Sequence, residues 1–382
     1  MHFYSQDAMH LYHVGKRLLA FSSSAIAGAL TILVASTSEA EAALLVGNTQ
    51  GNNVLIFDER SGKLGGEFIP AMEGFYSPDD LTFGPDGNLY VTFATNPDSS
   101  SPNRGGAILK FDGKTGNFLG RFDKGSSLNR PYGIAFGPDG YLYASSFLSD
   151  EIIRYDTVTG NFVDVFATGT GTVNGLNGPN DLLFGDDGTL YVTTQGSVKG
   201  SFNAFSQSQV LQYDLSNPSS PTVFIAQPTP SPDSFGFVSF LGLAFGPSGD
   251  LFVSDFANDI RRYDLLGNLL DTLPTNFTTT APPSLNFVGN LAFDPNGLLY
   301  TVGFDLTKGN QGAILRYDGE TGDPLPALGQ NGAVFVPTNP ALKRPIGVAY
   351  SPIVVPEPGI TAGLIGLGVA GLLAKHKRET SV

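Results

Sequence analysis

Between residues 43 and 352 the apolar positions fall in short runs of four to six, closed by Gly, Asn, Asp or Pro, and they recur in a fixed order. Runs this short, rich in Val, Ile, Phe and Tyr, predict strands rather than helices. One unit consists of a short apolar strand, a turn centred on Asp-Gly or a relative, a strand of the Leu-Tyr-Val-Thr type, and a third strand ending in Tyr-Asp or Phe-Asp. It is plainest at 134–140, followed by 141–145 and 152–156. The turns stand at Asp86-Gly87, Asp139-Gly140, Asp187-Gly188, Ser248-Gly249 and Asn296-Gly297, spaced 48 to 61 residues apart. Glycine supplies the positive φ that such turns require.

The third strand gives a second count. Its closing aspartate recurs at Asp58, Asp112, Asp156, Asp214, Asp264 and Asp318, and a Gly-Asn or Gly-Asp turn often leads on to a fourth strand, as at 118–122 and 162–166. Six sets of four strands with a period near 50 residues predict an all-β fold, a six-bladed β-propeller. The sixth blade draws on both ends of the domain. Residues 345–350 form a lone first strand, and 44–47, 54–58 and 64–69 supply three strands with no first strand before them. Pairing them closes the ring and removes the sheet edges that invite aggregation. Recurrence in every blade assigns the six aspartates to turn formation. Tyr90, Tyr143, Tyr191 and Tyr300 are assigned to packing between blades.

Two flanking segments are of another kind. Lys16 and Arg17 precede an apolar stretch at 18–34, and Ala40-Glu41-Ala42 places small residues where a signal peptidase reads them, so cleavage is expected after Ala42. At the other end Pro356-Glu357-Pro358 precedes an uncharged run, 359–374, and then the basic residues Lys375, Lys377 and Arg378. That run spans about 24 Å as a helix, and the basic cluster orients it with the stub inside. The domains expected are therefore a signal peptide (1–42), the propeller (43–352) and a sorting segment (353–382).

Composition narrows the chemistry. The net charge is −14, and within the central domain acidic side chains outnumber basic ones almost two to one, which argues against a nucleic-acid partner. There is no cysteine, so disulfides and thiolate chemistry are absent even though an exported protein meets an oxidising destination. The four histidines, His2, His10, His13 and His376, all lie in the terminal segments. The central domain thus lacks the commonest general base and the usual imidazole metal ligand.

On the repeat exemplified by Pro-Tyr-Gly-Ile-Ala-Phe-Gly-Pro-Asp-Gly at 131–140 and its copies, residues 43–352 resemble the six-bladed propellers of the NHL-repeat and regucalcin/gluconolactonase superfamily. The tail resembles the PEP-CTERM sorting signal of exosortase-bearing bacteria. This second resemblance implies a signal peptidase and an exosortase-type enzyme as partners, a transient inner-membrane anchor, and delivery to the cell surface or its extracellular matrix.

The resemblance to the lactonase branch implies a calcium-like ion in the central channel. Pro179-Asn180-Asp181 and Pro78-Asp79-Asp80 match two of its ligand contexts, which makes Asp79, Asn180 and Asp181 candidate metal ligands. Leu241 and Ile346 stand where further ligands are needed, and no glutamate opens blade six. Asp80, Tyr132 and Asn290 share the expected ligand-binding face, although side chains of this kind also cap amides where strands begin. Long loops at 96–106, 195–208 and 304–312, in blades one, three and five, read equally as recognition loops or as surface insertions. The leading expectation is a non-catalytic binding module for a protein, glycan or matrix component. The alternative is a calcium-dependent lactonase or lyase.

Overall fold

A computed structural model describes residues 42–351 except 173, 196–206, 233, 235, 258 and 280–283. Three strands come first: β1 (Ala43–Asn48), β2 (Asn53–Asp58) and β3 (Leu64–Ile69). Blade one is β4 (Leu81–Phe83), β5 (Leu89–Phe93), β6 (Ala107–Phe111) and β7 (Phe118–Arg121), and blade two is β8 (Pro131–Phe136), β9 (Tyr141–Ser146), β10 (Glu151–Asp156) and β11 (Phe162–Thr168). Blade three is β12 (Pro179–Phe184), β13 (Leu190–Thr194), β14 (Gln209–Tyr213) and β15 (Thr222–Ile225). Blade four is β16 (Phe240–Phe245), β17 (Leu251–Asp255), β18 (Asp259–Tyr263) and β19 (Leu269–Leu273). Blade five is β20 (Asn286–Phe293), β21 (Leu298–Asp305), β22 (Gln311–Asp318) and β23 (Val334–Lys343).

The last strand, β24 (Pro345–Ser351), pairs antiparallel with β1, Leu44 opposite Tyr350 and Val46 opposite Val348, so blade six is ordered β24-β1-β2-β3. The first strands β4, β8, β12, β16, β20 and β24 pack against one another in ring order, including β24 against β4. The chain is an all-β, six-bladed propeller closed by its two ends, as the repeat count predicts.

Burial follows from the stacking of blades. Second strands such as β5 and β13 are buried along their whole length because both of their faces meet a neighbouring sheet. Outermost strands such as β7 and β19 are largely exposed. Apolar side chains of adjacent blades mesh in separate clusters, for example Ile56, Leu81 and Val91 between blades six and one, and Tyr143, Leu182 and Val192 between two and three. Edge-to-face aromatic pairs join second strands to the next blade: Tyr90 with Phe136 at 5.0 Å, Tyr143 with Phe184 at 5.1 Å and Tyr191 with Phe245 at 5.6 Å. Tyr300 reaches blade six through its hydroxyl, which donates to Glu59 at 2.6 Å.

The turn glycines Gly87, Gly140, Gly188, Gly249 and Gly297 all have positive φ. The closing aspartates accept hydrogen bonds from the backbone of their own turns, as Asp112 does from the amides of Lys114 and Thr115, and Asp318 from those of Glu320 and Thr321. One loop differs from expectation. Residues 304–312 are not a long excursion, because β21 continues to Asp305, a 3-10 turn covers Leu306–Lys308, and β22 resumes at Gln311. Asp305 caps that turn by accepting the Thr307 amide at 2.8 Å, and β21 pairs with β22 up to Asp305↔Gln311. Ala40, the sorting motif Pro356, Glu357 and Pro358, and the basic residues Lys375, Lys377 and Arg378 lie outside the described residues, as does most of the 195–208 loop. Among the described residues no helix is long and apolar enough to cross a membrane.

Candidate functional site at the mouth of the channel

Six residue pairs, Asp79-Asp80, Tyr132-Gly133, Asn180-Asp181, Leu241-Gly242, Gly289-Asn290 and Ile346-Gly347, stand in or just before the first strands. Tyr132-Gly133, Asn180-Asp181, Leu241-Gly242 and Gly289-Asn290 each sit where the ladder to the second strand shifts register. Asn290 lies inside β20, four residues beyond its start. A bulge frees backbone groups that must be satisfied elsewhere. Hydroxyls of the second strands do this. Thr92 accepts the Asp80 amide and donates to the Tyr132 carbonyl of blade two, and Thr193 accepts the Asp181 amide and donates to the Leu241 carbonyl of blade four. Ser145 accepts the amides of Tyr132 and Gly133, and Ser254 that of Gly242.

The second residue of each pair alternates around the ring: Asp80, Gly133, Asp181, Gly242, Asn290, Gly347. The glycines are needed for close approach. A Cβ on Gly133 would lie 2.6 Å from the Asn180 carbonyl oxygen and from Asp181 Cα, and one on Gly347 would lie 2.7 Å from the Asp79 carbonyl oxygen. Across these contacts Asp80 accepts the Ile134 amide at 2.8 Å and Asp181 the Leu243 amide at 2.7 Å, while Asn290 donates to Asp80 at 3.4 Å. Burial raises Asp80 to about 6. Burial, and then the charge of Asp80, push Asp181 well above the carboxylate range.

The first residues of the pairs include Asp79, Tyr132, Leu241 and Ile346, which line a cavity of ≈ 220 Å³ together with Arg130 and Arg344. Asp79 is 1% exposed. Its Oδ2 lies 2.6 Å from Arg130 Nη2, and its Oδ1 accepts the Thr49 hydroxyl at 2.9 Å. Burial pushes its pKa up, opposed by Arg130, the Thr49 hydroxyl, Arg344 and Arg104. Asn180 donates to the Phe240 carbonyl, and its Oδ1 is buried without a partner. The three candidate metal ligands thus face different partners: Asp79 a guanidinium, Asn180 a carbonyl, and Asp181 two backbone amides. Calcium takes about six or more oxygens. Among the described residues no group of three or more His, Cys, Asp or Glu side chains could hold a metal ion. The donor set at the mouth does not fit calcium.

The arginines are what the sequence reading missed. Arg130 and Arg344 precede Pro131 and Pro345 at the entry to β8 and β24, both with left-handed φ (57° and 52°). The equivalent entries of blades one and three place Ser77 and Gly178, also left-handed, before Pro78 and Pro179. Proline disfavours the α region for the residue before it, and the repeated X-Pro step is the signal that would have found them. The Arg130 side chain is 9% exposed, its guanidinium 4.7 Å over the Tyr132 ring. Tyr132 stands edge-on to Phe147 at 5.1 Å. Arg344 lies over Phe304 at 5.5 Å. Arg104, from the long blade-one loop, is near enough to Arg130 that their like charges lower its pKa, after burial.

No protein-family model and no curated protein matches the chain. The likeness is to solved structures. A structure of a nidogen/laminin complex matches with a TM-score of 0.55 at 14% identity, covering 81% of this chain and 98% of that one. A protein of unknown function from Bacteroides caccae matches with a TM-score of 0.54 at 15% identity, covering 81% and 99%. A putative gluconolactonase matches with a TM-score of 0.46 at 19% identity, covering 70% and 80%. At these identities the first two show the propeller fold, which hosts unrelated functions.

Proposed function

We propose that this chain is an exported, non-catalytic binding module that presents the mouth of its propeller to a component of the cell envelope or its matrix. Delivery rests on the signal at 1–42, and on recognition of Pro356-Glu357-Pro358 by an exosortase-type enzyme after transient anchoring by the 359–374 run. One observation carries the binding role. At the mouth the carboxylates are committed to cations or amides, whereas guanidinium N–H groups remain without partners. A general base needs a carboxylate within hydrogen-bond reach of a substrate proton, and Asp79 is tied to Arg130 instead.

The full chain, expressed in an exosortase-bearing host, tests this reading. Saturable retention on isolated matrix, with no hydrolysis of aldonolactones in calcium or in chelator, is the expected result. Calcium-dependent lactone turnover that is lost in Asp79→Asn would overturn it. Replacement of Glu357 by alanine is expected to hold the protein in the inner membrane, as read by fractionation.

A further inference from the structure

We propose that the channel mouth is a carboxylate-binding pocket, and that the ligand it takes is a small organic acid with a compact ring. This deepens the binding-module reading and rests on it. Arg130 and Arg344 line the cavity around one acid, Asp79, and the charge of Arg104 reaches Asp79 as well. The result is a cationic centre on a chain whose net charge is −14. Focused positive potential in a low-dielectric recess selects anions.

Two of the arginines have donors to give. Arg130 Nη1 is buried with no hydrogen-bond partner although its side chain is over nine-tenths buried, and Arg344 Nε likewise has none. An unmet buried guanidinium donor is costly, and a planar carboxylate is the group whose geometry matches such forks. Both arginines are also held in left-handed backbone conformations, which are strained for a residue with a Cβ. Asp79 already engages Nη2 of Arg130, so the structure contains an internal example of the interaction a ligand would make at the remaining donors.

The rest of the lining sets the body of the ligand. Tyr132, Phe147 and Phe256 offer aromatic surfaces, and Leu241 and Ile346 apolar ones. At ≈ 220 Å³ the cavity is smaller than the roughly 300–1,000 Å³ of drug-sized sites. One ring bearing one carboxylate suits that space, and the two arginines that line it, with Asp79, leave a single net positive charge, which suits a monoanion better than a phosphate dianion. A uronic acid meets these terms as a free sugar or as the end of an acidic glycan.

Calorimetric titration of the full chain with D-glucuronate, D-glucose and inorganic phosphate tests the pocket. Glucuronate is expected to bind, glucose and phosphate at least about tenfold more weakly, and salt to weaken the glucuronate affinity. Arg344→Gln should lower that affinity roughly tenfold or more, the loss expected for a charge-assisted bond. Arg130→Gln combined with Asp79→Asn, which removes the ion pair without stranding either charge, should do the same. Asp79→Asn alone should raise the affinity, because the internal carboxylate that competes for Arg130 is gone. Equal binding of glucose and glucuronate, unchanged affinity in Arg344→Gln, or no glucuronate binding at all would overturn the proposal. Matrix retention that persists in that last case would leave the binding-module reading standing, whereas lactone turnover would remove the reading itself.

Discussion

Single side chains in this propeller are set by burial more than by residue type. Asp255, at the end of β17, accepts the amides of Ser239 and Ala257 on Oδ1, while its Oδ2 is 3.6 Å from Arg261. Burial, and then the neighbouring charge of Asp259, raise its pKa from 3.8 to about 7. The folded state therefore keeps a proton that the unfolded chain releases. Stability from this group is complete below the unfolded pKa of 3.8 and is lost as the pH climbs through about 7. Asp80, raised to about 6, and Asp181 add to the same trend. The melting temperature is thus expected to fall as the pH rises from about 5 to about 8. Asp255→Asn keeps the Oδ1 acceptor and abolishes the ionisation. It should raise the melting temperature at the alkaline end and flatten the upper part of the curve, an effect of a few kcal/mol, while Arg261 keeps its bonds to Asp259. A slope unchanged by this substitution would mean that Asp255 titrates normally. None of this is legible in the sequence, where Asp255 is one acid among many.

At the scale of the strand, the Leu-Tyr-Val-Thr signature has a division of labour that periodicity alone does not reveal. Leu190, Tyr191 and Val192 pack between blades, which explains why the second strand lacks a polar face. Thr193 closes the bulge of its own blade and bonds to the next. Thr193→Val preserves shape and strands two buried partners, so it should cost about 1–3 kcal/mol in urea unfolding. Thr193→Ser, which retains the hydroxyl, should recover most of that loss. The closing aspartates and the turn glycines are readable from sequence because their partners lie within four residues. The bulges are not, because a register shift depends on how two strands align. For the same reason the 304–312 segment is not the loop that its Gly, Asn and Lys predict, because pairing with β22 extends β21 to Asp305.

For the whole molecule, closure is the organising event. β24 is held by β1 on one side and contacts β4 and β20 as neighbours in the ring. A chain ending at Arg344 would leave β1 as an open edge and break the seam to blade one. Such a chain should elute as oligomers in gel filtration and be cut rapidly by protease, since unpaired edges recruit other strands. A truncated chain that remains monomeric and resistant would show that the ring does not depend on β24. Sequence by itself determined the number of blades, their four-strand plan, the sites of the turns and the joining of the two ends, because each follows from local periodicity and turn chemistry repeated six times. Tertiary structure decided the character of the mouth. Arg344 is far from Arg104 and Arg130 in the chain and joins them near Asp79 only once the ring has closed. There the burial of Asp79 and its pairing with Arg130 turn a residue that reads as a metal ligand into the counter-ion of a cationic pocket.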